Sequence, residues 1–464
     1  MSVVPLTSSA GLVIAPPIVR SEAVRLTPEK YQRWWHFFWL PGKAYSSWED
    51  MFEKNADRLD YLLTPGDYRT LGPLVLKDHP GNTALRPSTI RYYNPGVDDA
   101  VHPVRRPAEA SSAALVDTFR LDGPTTRDWL VQGLTVSEPT KHTAIRGKAG
   151  NITVDFCLIE KDGDHLLRIR DASNCAIQRC VLRDTIQPYN AKGEPLDSIG
   201  IQIDSTDADV LAIKILDNEI YNVGDGIQTT PSDFDPTRPV EVLIEGNDIY
   251  LEPSRYIPGT DTTLDENAID LKAGSDSLRP IIIRRNRMWG FRRRAVKGAL
   301  GEIFVVNKFC RNVVVEKNIM GDAPIGMKDE NWPPDSVFGA DEPRNIIFRL
   351  NQFYEIRDYD ADDEGAITKP ITSGISFICN YFSRSDFIAA ETTQENVYRG
   401  EGPHYEGNTR VEVGGIQRSP FLDRVPYTEP TNAVAAALYG YDTYERKRWT
   451  GPELATGAVA AEAP

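Results

Sequence analysis

The chain has 464 residues and a formal net charge of −15, with 41% hydrophobic and 26% charged residues. This composition is typical of folded globular proteins and excludes a disordered chain. The charge argues against a general nucleic-acid binder, whose affinity depends on neutralising phosphates with Lys and Arg. No run of residues approaches the roughly 18 apolar residues of a spanning helix, so we expect no association with a membrane.

The N-terminal part, residues 1–125, is expected to contain an extension, a helical segment and the first strands. Residues 23–60 are rich in helix formers and include Trp34, Trp35, Trp39 and Trp48, which predicts the helical segment. The preceding residues lack the basic and continuously apolar regions of a secretory signal. We therefore expect a cytoplasmic protein, or an extracellular or periplasmic one if a leader has been removed.

A short pattern dominates residues 126–400. It reads apolar, any, apolar, two residues, Asn or Cys, any, apolar, and it occurs eight times. The Asn or Cys positions are Cys157, Cys180, Asn218, Asn247, Asn286, Asn318, Asn351 and Asn380. Alternating apolar residues predict short strands with one buried face, and no amphipathic helix fits between them. A unit this small cannot bury its own apolar face, so the repeats must stack as coils.

The repeated Asn has a physical explanation in such a stack. Asn tolerates the left-handed conformation that a sharp turn demands. Its side-chain amide can also bond the same amide one coil away. We therefore interpret these positions as a structural ladder.

These repeats resemble the right-handed parallel β-helix of the pectate-lyase-like superfamily over roughly residues 126–395. The resemblance implies an all-β solenoid whose core, residues 126–400, carries an active-site groove. Because the open end of such a solenoid is prone to aggregation, we interpret the helical segment as an N-terminal cap. Residues 401–464 lose the repeat and are expected to form a C-terminal segment with a partly disordered tail. A monomer or a homotrimer is expected.

A second motif, a small residue followed by an aliphatic one, aligns outward-facing residues in columns. Coils stack about 4.8 Å apart, so residues in one column become neighbours. The first column contains Gln202, Gln228, Asp270 and Lys297, and the second contains Asp204, Thr230, Lys272 and Lys328. Acids and lysines are thus predicted to gather on one strip of the surface.

The strip resembles the active site of the family 9 polysaccharide lyases, in which acids hold Ca²⁺ and a lysine is the base. By position, the resemblance implies that Asp225, Glu266, Asn267 and Asp270 bind Ca²⁺ and that Lys297 is the base. Glu and Asn replace two Asp residues of the family pattern. A second resemblance, to the family 6 lyases, assigns the base to Lys272 and the acid to Arg293.

β-Elimination from a uronate removes the weakly acidic proton at C5, so the base must be neutral. Like charges lower the pKa of a lysine and a nearby carboxylate raises it. Lys297 follows three consecutive arginines, whereas Lys272 lies two residues from Asp270. We therefore expect Lys297 to be the base, Lys272 to hold the substrate and Arg293 to be the acid partner. The remaining substrate-binding residues are predicted to be Arg292, Arg294, Lys328 and Gln228.

Three other functions remain open at this stage. A glycoside hydrolase on the same fold would use paired acids, with Asp204, Asp225 and Asp270 as candidates. A tailspike-like or adhesin-like protein would bind an acidic polysaccharide or oligosaccharide without cleaving it. An epimerase is also open, although no Asp-Pro-His motif supports it.

Overall fold

The structure is a computed structural model, and strands make up most of what it describes. The described residues are 47–49, 52, 60–63, 66–81, 87–92, 114–140, 142–186, 198–206, 208–230, 239–258, 263, 265–276, 278–291, 301–307, 310–330, 344–356, 366–369, 375–378, 380–383, 387–389, 392–394, 397–399, 404–406 and 409–411. Short 3-10 helices occur at Arg69–Leu71 and Pro253–Arg255. Within these ranges no helix is long and apolar enough to cross a membrane.

The first sheet has 13 parallel strands. They are β1 (Asp60–Leu63), β4 (Ser88–Tyr92), β7 (Arg127–Gln132), β10 (Gly150–Asp155), β13 (Ser173–Gln178), β16 (Val210–Leu216), β19 (Val240–Glu245), β22 (Ile281–Arg284), β25 (Arg311–Glu316), β28 (Arg344–Arg349), β31 (Ile375–Ile378), β34 (Thr392–Gln394) and β37 (Thr409–Val411).

The second sheet has 12 strands. They are β2 (Gly66–Asp67), β5 (Ala114–Val116), β8 (Leu134–Ser137), β11 (Leu158–Glu160), β14 (Val181–Arg183), β17 (Glu219–Tyr221), β20 (Asp248–Tyr250), β23 (Arg287–Trp289), β26 (Ile319–Ala323), β29 (Gln352–Ile356), β32 (Tyr381–Ser383) and β35 (Val397–Arg399).

The third sheet has 10 strands and carries the candidate site. They are β3 (Leu74–Lys77), β6 (Phe119–Asp122), β9 (Thr143–Arg146), β12 (His165–Arg170), β15 (Ile199–Asp204), β18 (Asp225–Thr230), β21 (Asn267–Leu271), β24 (Glu302–Asn307), β27 (Ile325–Glu330) and β30 (Ala366–Lys369). Strands β33 (Phe387–Ala389) and β36 (His404–Glu406) form a separate pair.

Each of the first ten coils contributes one strand to each large sheet, and successive coils pair in parallel. The protein is therefore a right-handed parallel β-helix, as the sequence predicts. Strand β19 illustrates why the strands form, because its residues alternate between fully buried and partly exposed. The inward residues of the three sheets, mostly Ile, Val, Leu and Phe, make one continuous apolar core.

The Asn ladder is confirmed. From Asn218 to Asn351, each side-chain Nδ2 donates to Oδ1 of the next ladder Asn at 2.9–3.0 Å. The backbone N–H of Cys180 donates to Asn218 Oδ1 at 2.9 Å, so the cysteine positions join the same column. Because these groups are buried, the ladder satisfies polar atoms that would otherwise be costly.

The left-handed residue of each turn is not the Asn, which corrects the sequence interpretation. It is the residue before the ladder position, for example Arg285 with φ 58° and Lys317 with φ 57°. The ladder side chain therefore points inward to bond its neighbours, while the preceding residue makes the bend. Positive φ is uncommon for residues other than Gly, so the stacking must hold these residues in place.

The predicted helical cap, residues 23–60, falls mostly outside the described residues, and as a whole it stays a prediction. Trp48, Glu49 and Phe52 are helical. Trp48 and Phe52 are 2% and 1% exposed and belong to the continuous core. Trp48 Nε1 also donates to the carbonyl of Gly72 at 2.9 Å. This segment therefore packs on the first coil.

The stack extends beyond both ends of the repeat that is visible in the sequence. It begins with β1 at Asp60, among the first coils that the sequence places before residue 126. It also continues past residue 401, because β37 pairs with β34 in the first sheet. The repeat fades there because β34, which reads Thr-Thr-Gln, lacks the alternating apolar residues of the earlier strands.

Candidate functional site

The outer face of the third sheet carries a patch of polar side chains. In β21, Ala268 and Ile269 both belong to the apolar core, so the flanking Asn267 and Asp270 lie on the outside. In β18, Ile227 belongs to the core and a Cβ added at Gly226 would meet the core residue Ile249, so Asp225 and Gln228 lie on the outside as well. We call this patch the polar strip, and it consists of Gln202, Asp204, Asp225, Gln228, Asn267, Asp270 and Lys272.

The register of the sheet brings these residues together from three coils. Asp225 pairs with Asn267, and Gln228 pairs with Gln202 on one side and with Asp270 on the other. Neighbouring strands lie about 4.8 Å apart, so side chains on successive coils are in contact range. The sequence prediction that Asp225, Asn267 and Asp270 are neighbours agrees with this register.

The polar strip is buried, which is unusual for an outer face. Asp225, Asn267 and Asp270 are 1%, 2% and 3% exposed, and Asp204 is 2% exposed. A buried carboxylate costs several kcal/mol unless partners compensate it. These acids must therefore be held by a specific set of hydrogen bonds and charges.

Gln228 links the two central acids. Its Nε2 donates to Asp225 Oδ2 at 2.8 Å and to Asp270 Oδ2 at 3.3 Å. Asn267 Nδ2 donates to the other Asp225 oxygen at 3.1 Å. Lys272 Nζ lies 2.9 Å from Asp270 Oδ2, so its ammonium compensates that carboxylate.

The network continues toward β12. Gln202 Nε2 donates to Gln228 Oε1 at 3.2 Å. Arg168 Nε donates to Asp204 Oδ2 at 2.5 Å. Burial raises the pKa of the Asp204 carboxyl, and the Arg168 guanidinium offsets this only in part. Asp204 is thus an acid that holds its proton to a higher pH than an exposed aspartate.

Three acceptors of the polar strip have no hydrogen-bond partner within the described part of the chain. They are Gln202 Oε1, Asp204 Oδ1 and Asn267 Oδ1. Buried acceptors are normally satisfied, and an unsatisfied one calls for a specific explanation. Each of them could be satisfied by a hydrogen-bond donor or by a cation.

The fit of the predicted calcium site is partial. Its donors are oxygen atoms, as Ca²⁺ requires, and Asn267 Oδ1 is a buried acceptor with no described partner. Both oxygens of Asp225, however, accept from side-chain amides, and Asp270 holds Lys272. Glu266 is partly exposed and directly precedes β21. A cation would have to displace the Gln228 amide and the ammonium, so the calcium site stays a prediction.

The predicted base lies outside the described residues, as do Arg292, Arg293 and Arg294. The predicted column itself is wrong, because the strand next to β21 is β24 and Val305, not Lys297, pairs with Asp270. Lys328 pairs with Val305, so it continues the column of Asp270 rather than that of Lys272. Lys297 was placed in this column because Ala295-Val296 matches the motif of a small residue followed by an aliphatic one.

One residue of this face was missed. Glu302 is 1% exposed and pairs with Asn267, so it continues the row of Asp225 and Asn267. A signal was available, because Glu302 precedes two core residues, Ile303 and Phe304, just as Asn267 precedes Ala268 and Ile269. A polar residue followed by a buried pair therefore marks the strand start better than a small residue does.

Comparison with solved structures finds distant similarities. Similar structures include PfbA, a surface adhesin of Streptococcus pneumoniae (TM-score 0.48, 13% identity, 76% of this chain and 82% of that chain). A mannuronic acid specific family 6 polysaccharide lyase from human gut microbiota is also similar (TM-score 0.43, 12% identity, 76% of this chain and 86% of that chain). So is a mutant tailspike protein of E. coli bacteriophage HK620 in complex with pentasaccharide (TM-score 0.38, 11% identity, 85% of this chain and 65% of that chain). No family model and no curated protein sequence matches the chain.

Proposed function

We propose that the polar strip binds an acidic glycan and that the protein is a polysaccharide lyase that cleaves it by β-elimination. The observation that carries the proposal is the set of three buried acceptors, on Gln202, Asp204 and Asn267, without described partners. Sugar hydroxyls are donors that fit such acceptors. Arg168 and Lys272 at the margins supply positive charge for a carboxylate of the glycan.

The proposed reaction breaks one C–O bond and needs no water. A neutral lysine removes the proton at C5 of the uronate, the C4–O bond breaks, and a C4–C5 double bond forms. The leaving oxygen receives a proton. We assign the base to Lys297 and the proton donor to Arg293, following the sequence prediction. Arg292, Arg294, Lys328 and Gln228 are proposed to bind the substrate.

Lys272 suits the role of a substrate clamp better than that of a base. Its ammonium lies 2.9 Å from the carboxylate of Asp270, and a nearby carboxylate favours the charged form of a lysine. A charged lysine cannot accept the C5 proton, but it can pair with the carboxylate of a uronate.

Ca²⁺ is proposed as a cofactor at Asp225, Glu266, Asn267 and Asp270. A bound ion would neutralise the uronate carboxylate and so stabilise the negative charge that develops when the C5 proton leaves. The chain's own part is to present oxygen ligands from adjacent coils.

A glycoside hydrolase is the second candidate, and one observation favours it. Burial raises the pKa of Asp204, which is what a general acid needs. Asp225 and Asp270 on the following coils would supply the second carboxylate. The ion pair between Asp204 and Arg168 opposes this function, because it favours the ionised carboxylate.

One screen separates these functions. The purified protein is incubated with a panel of acidic polysaccharides, with and without a chelator, and both ultraviolet absorbance and reducing ends are followed. A lyase raises both signals because each cut leaves an unsaturated uronate. A hydrolase raises only the reducing ends, and binding without turnover identifies a non-catalytic glycan binder. Activity that survives exhaustive chelation excludes an essential cation.

A further inference from the structure

Two of the six histidines of the chain meet on adjacent coils at one end of the third sheet. His142 directly precedes β9, and His165 begins β12, which pairs with β9. Their rings lie 5.5 Å apart in an edge-to-face arrangement. Asp164 lies between them, and these three are the one group within the described residues that brings three His, Cys, Asp or Glu ligand atoms within 4.8 Å.

The distances in this cluster are those of ligands around one small ion. Asp164 Oδ2 lies 3.3 Å from His142 Nε2 and 2.8 Å from His165 Nδ1. Ligand atoms of a tetrahedral zinc ion are about 3.3 Å apart, as follows from bond lengths of about 2.0–2.1 Å. Small side-chain rotations would therefore suffice to place an ion between them.

The buried nitrogen of His165 points to a ligand. His165 Nδ1 is buried, and its 2.8 Å contact with Asp164 Oδ2 is an ion-pair contact that lacks the angles of a good hydrogen bond. The imidazole side chain is 9% exposed. A buried imidazole nitrogen that faces a carboxylate without a well-formed hydrogen bond is an arrangement that an intervening cation would satisfy.

A fourth residue, Asp162, contacts both His142 and Asp164. Asp162 is 5% exposed, and its Oδ2 lies 3.4 Å from His142 Nδ1, on the opposite side of the ring from Asp164. Asp162 Oδ1 also accepts the backbone N–H of Asp164 at 3.0 Å. Metal-binding histidines almost always donate their other ring N–H to such a carboxylate, which fixes the ring and the tautomer.

The cluster is accessible from one side. The side chains of His142 and Asp164 are 44% and 48% exposed, so an ion and a water ligand have a route to it. Two imidazoles with one carboxylate favour Zn²⁺ and its transition-metal neighbours over Ca²⁺ or Mg²⁺, which prefer oxygen ligands. Asp162 is the supporting carboxylate of this set.

We propose that His142, Asp164 and His165 bind one divalent transition-metal ion such as Zn²⁺, with Asp162 orienting His142. The ion joins the coils of β9 and β12 and keeps one coordination position for water. This site is separate from the proposed calcium site and does not depend on the proposed glycan chemistry.

The test uses the untagged full-length chain, stripped of metal with a chelator and dialysed. Zn²⁺ is titrated by calorimetry, and Co²⁺ is added as a spectroscopic probe whose visible absorption reports its ligands. We expect one ion per chain. His142→Ala and Asp164→Asn should each weaken binding at least tenfold, and Asp162→Asn should weaken it about 10- to 100-fold, as loss of an outer carboxylate does.

Asp276→Asn is the matched control, because this carboxylate is similarly exposed but pairs with Arg279 instead of a histidine. It should bind Zn²⁺ as the wild type does. The proposal is overturned if the wild type binds less than one Co²⁺ or Zn²⁺ per chain. It is also overturned if the double variant His142→Ala, Asp164→Asn, shown to be folded by its melting curve, keeps wild-type affinity.

Discussion

At the scale of single residues, the polar strip is held together by amide side chains that donate hydrogen bonds to neighbouring carboxylates. Gln228 and Asn267 together donate three hydrogen bonds to Asp225 and Asp270. These hydrogen bonds offset part of the cost of burying the two carboxyl groups. The charge on Lys272 completes the compensation of Asp270.

The two lysines are predicted to have different mutant phenotypes. Lys297→Ala should lower kcat by several orders of magnitude while glycan binding persists, because a base acts in the transition state. Lys272→Ala should mainly raise KM, because a charged clamp contributes to binding. Steady-state kinetics on the substrate found in the screen measures both. Exchanged phenotypes would assign the base to Lys272, and full activity of both variants would show that neither lysine is the base.

A backbone prediction concerns Ala212, which has φ 54° at an irregularity of β16. The left-handed conformation costs a residue other than Gly about 1–2 kcal/mol. Replacing Ala by Gly in turn destabilises the folded state by about 0.4–1 kcal/mol, because Gly gives the unfolded chain more conformational entropy. Ala212→Gly should therefore raise the free energy of unfolding by about 0.5–1 kcal/mol in a denaturant titration. Ala212→Val, which is β-branched, should lower it, and the opposite order would show that the turn is not strained.

At the scale of elements, the Asn ladder holds successive coils in register. Asn286 accepts two hydrogen bonds from Asn247 and donates to Asn318 and to the carbonyl of Ile244. The loss of one buried partner leaves groups unsatisfied at about 1–3 kcal/mol each.

Asn286→Leu should accordingly lower the free energy of unfolding by about 3 kcal/mol or more, measured by chemical denaturation. The control is Asn345→Gly, which deletes an exposed hydrogen bond to Asn312 at a left-handed position that glycine tolerates. This variant should stay within about 0.5 kcal/mol of the wild type. Equal stability of the two variants would refute the ladder as a source of stability.

The elements also show what the sequence can and cannot predict. The ladder positions were predictable because one buried position per coil repeats the same chemistry. The register of the third sheet was not predictable, because the segments that connect its successive strands differ in length from coil to coil. The left-handed residues were misassigned to the Asn because turn propensity favours Asn, whereas here the ladder needs that side chain inside the core.

The site was predictable only in part for the same reason. Asp225, Asn267 and Asp270 lie on strands whose motif is regular, so they were correctly aligned. Glu302 was missed because a large residue, Ile303, follows it where the motif has a small one. The cluster of His142 and His165 was missed because the two residues lie one full coil apart and outside any repeated motif.

At the scale of the whole molecule, the open end of the β-helix needs a cover. Trp48 packs on the first coil, with its ring 6.0 Å from that of Tyr68. Trp48→Ala should lower the free energy of unfolding by about 3–5 kcal/mol and promote aggregation, because large core residues cost this much when truncated. Trp48→Phe is the matched variant and should lose much less. Light scattering and melting curves of both variants measure the effect, and an unchanged Trp48→Ala protein would contradict the role of the cover.

The central claim is that the outer face of the third sheet binds an acidic glycan, and one affinity measurement tests it most directly. An acidic oligosaccharide that the wild type binds is titrated into Gln202→Ala and into Gln178→Ala. Gln178 is the control, because its amide also donates a hydrogen bond to a side chain of the neighbouring strand but lies on the first sheet. We predict about tenfold weaker binding for Gln202→Ala, which corresponds to about 1.4 kcal/mol, and unchanged binding for Gln178→Ala. Equal affinities of the two variants would contradict the claim.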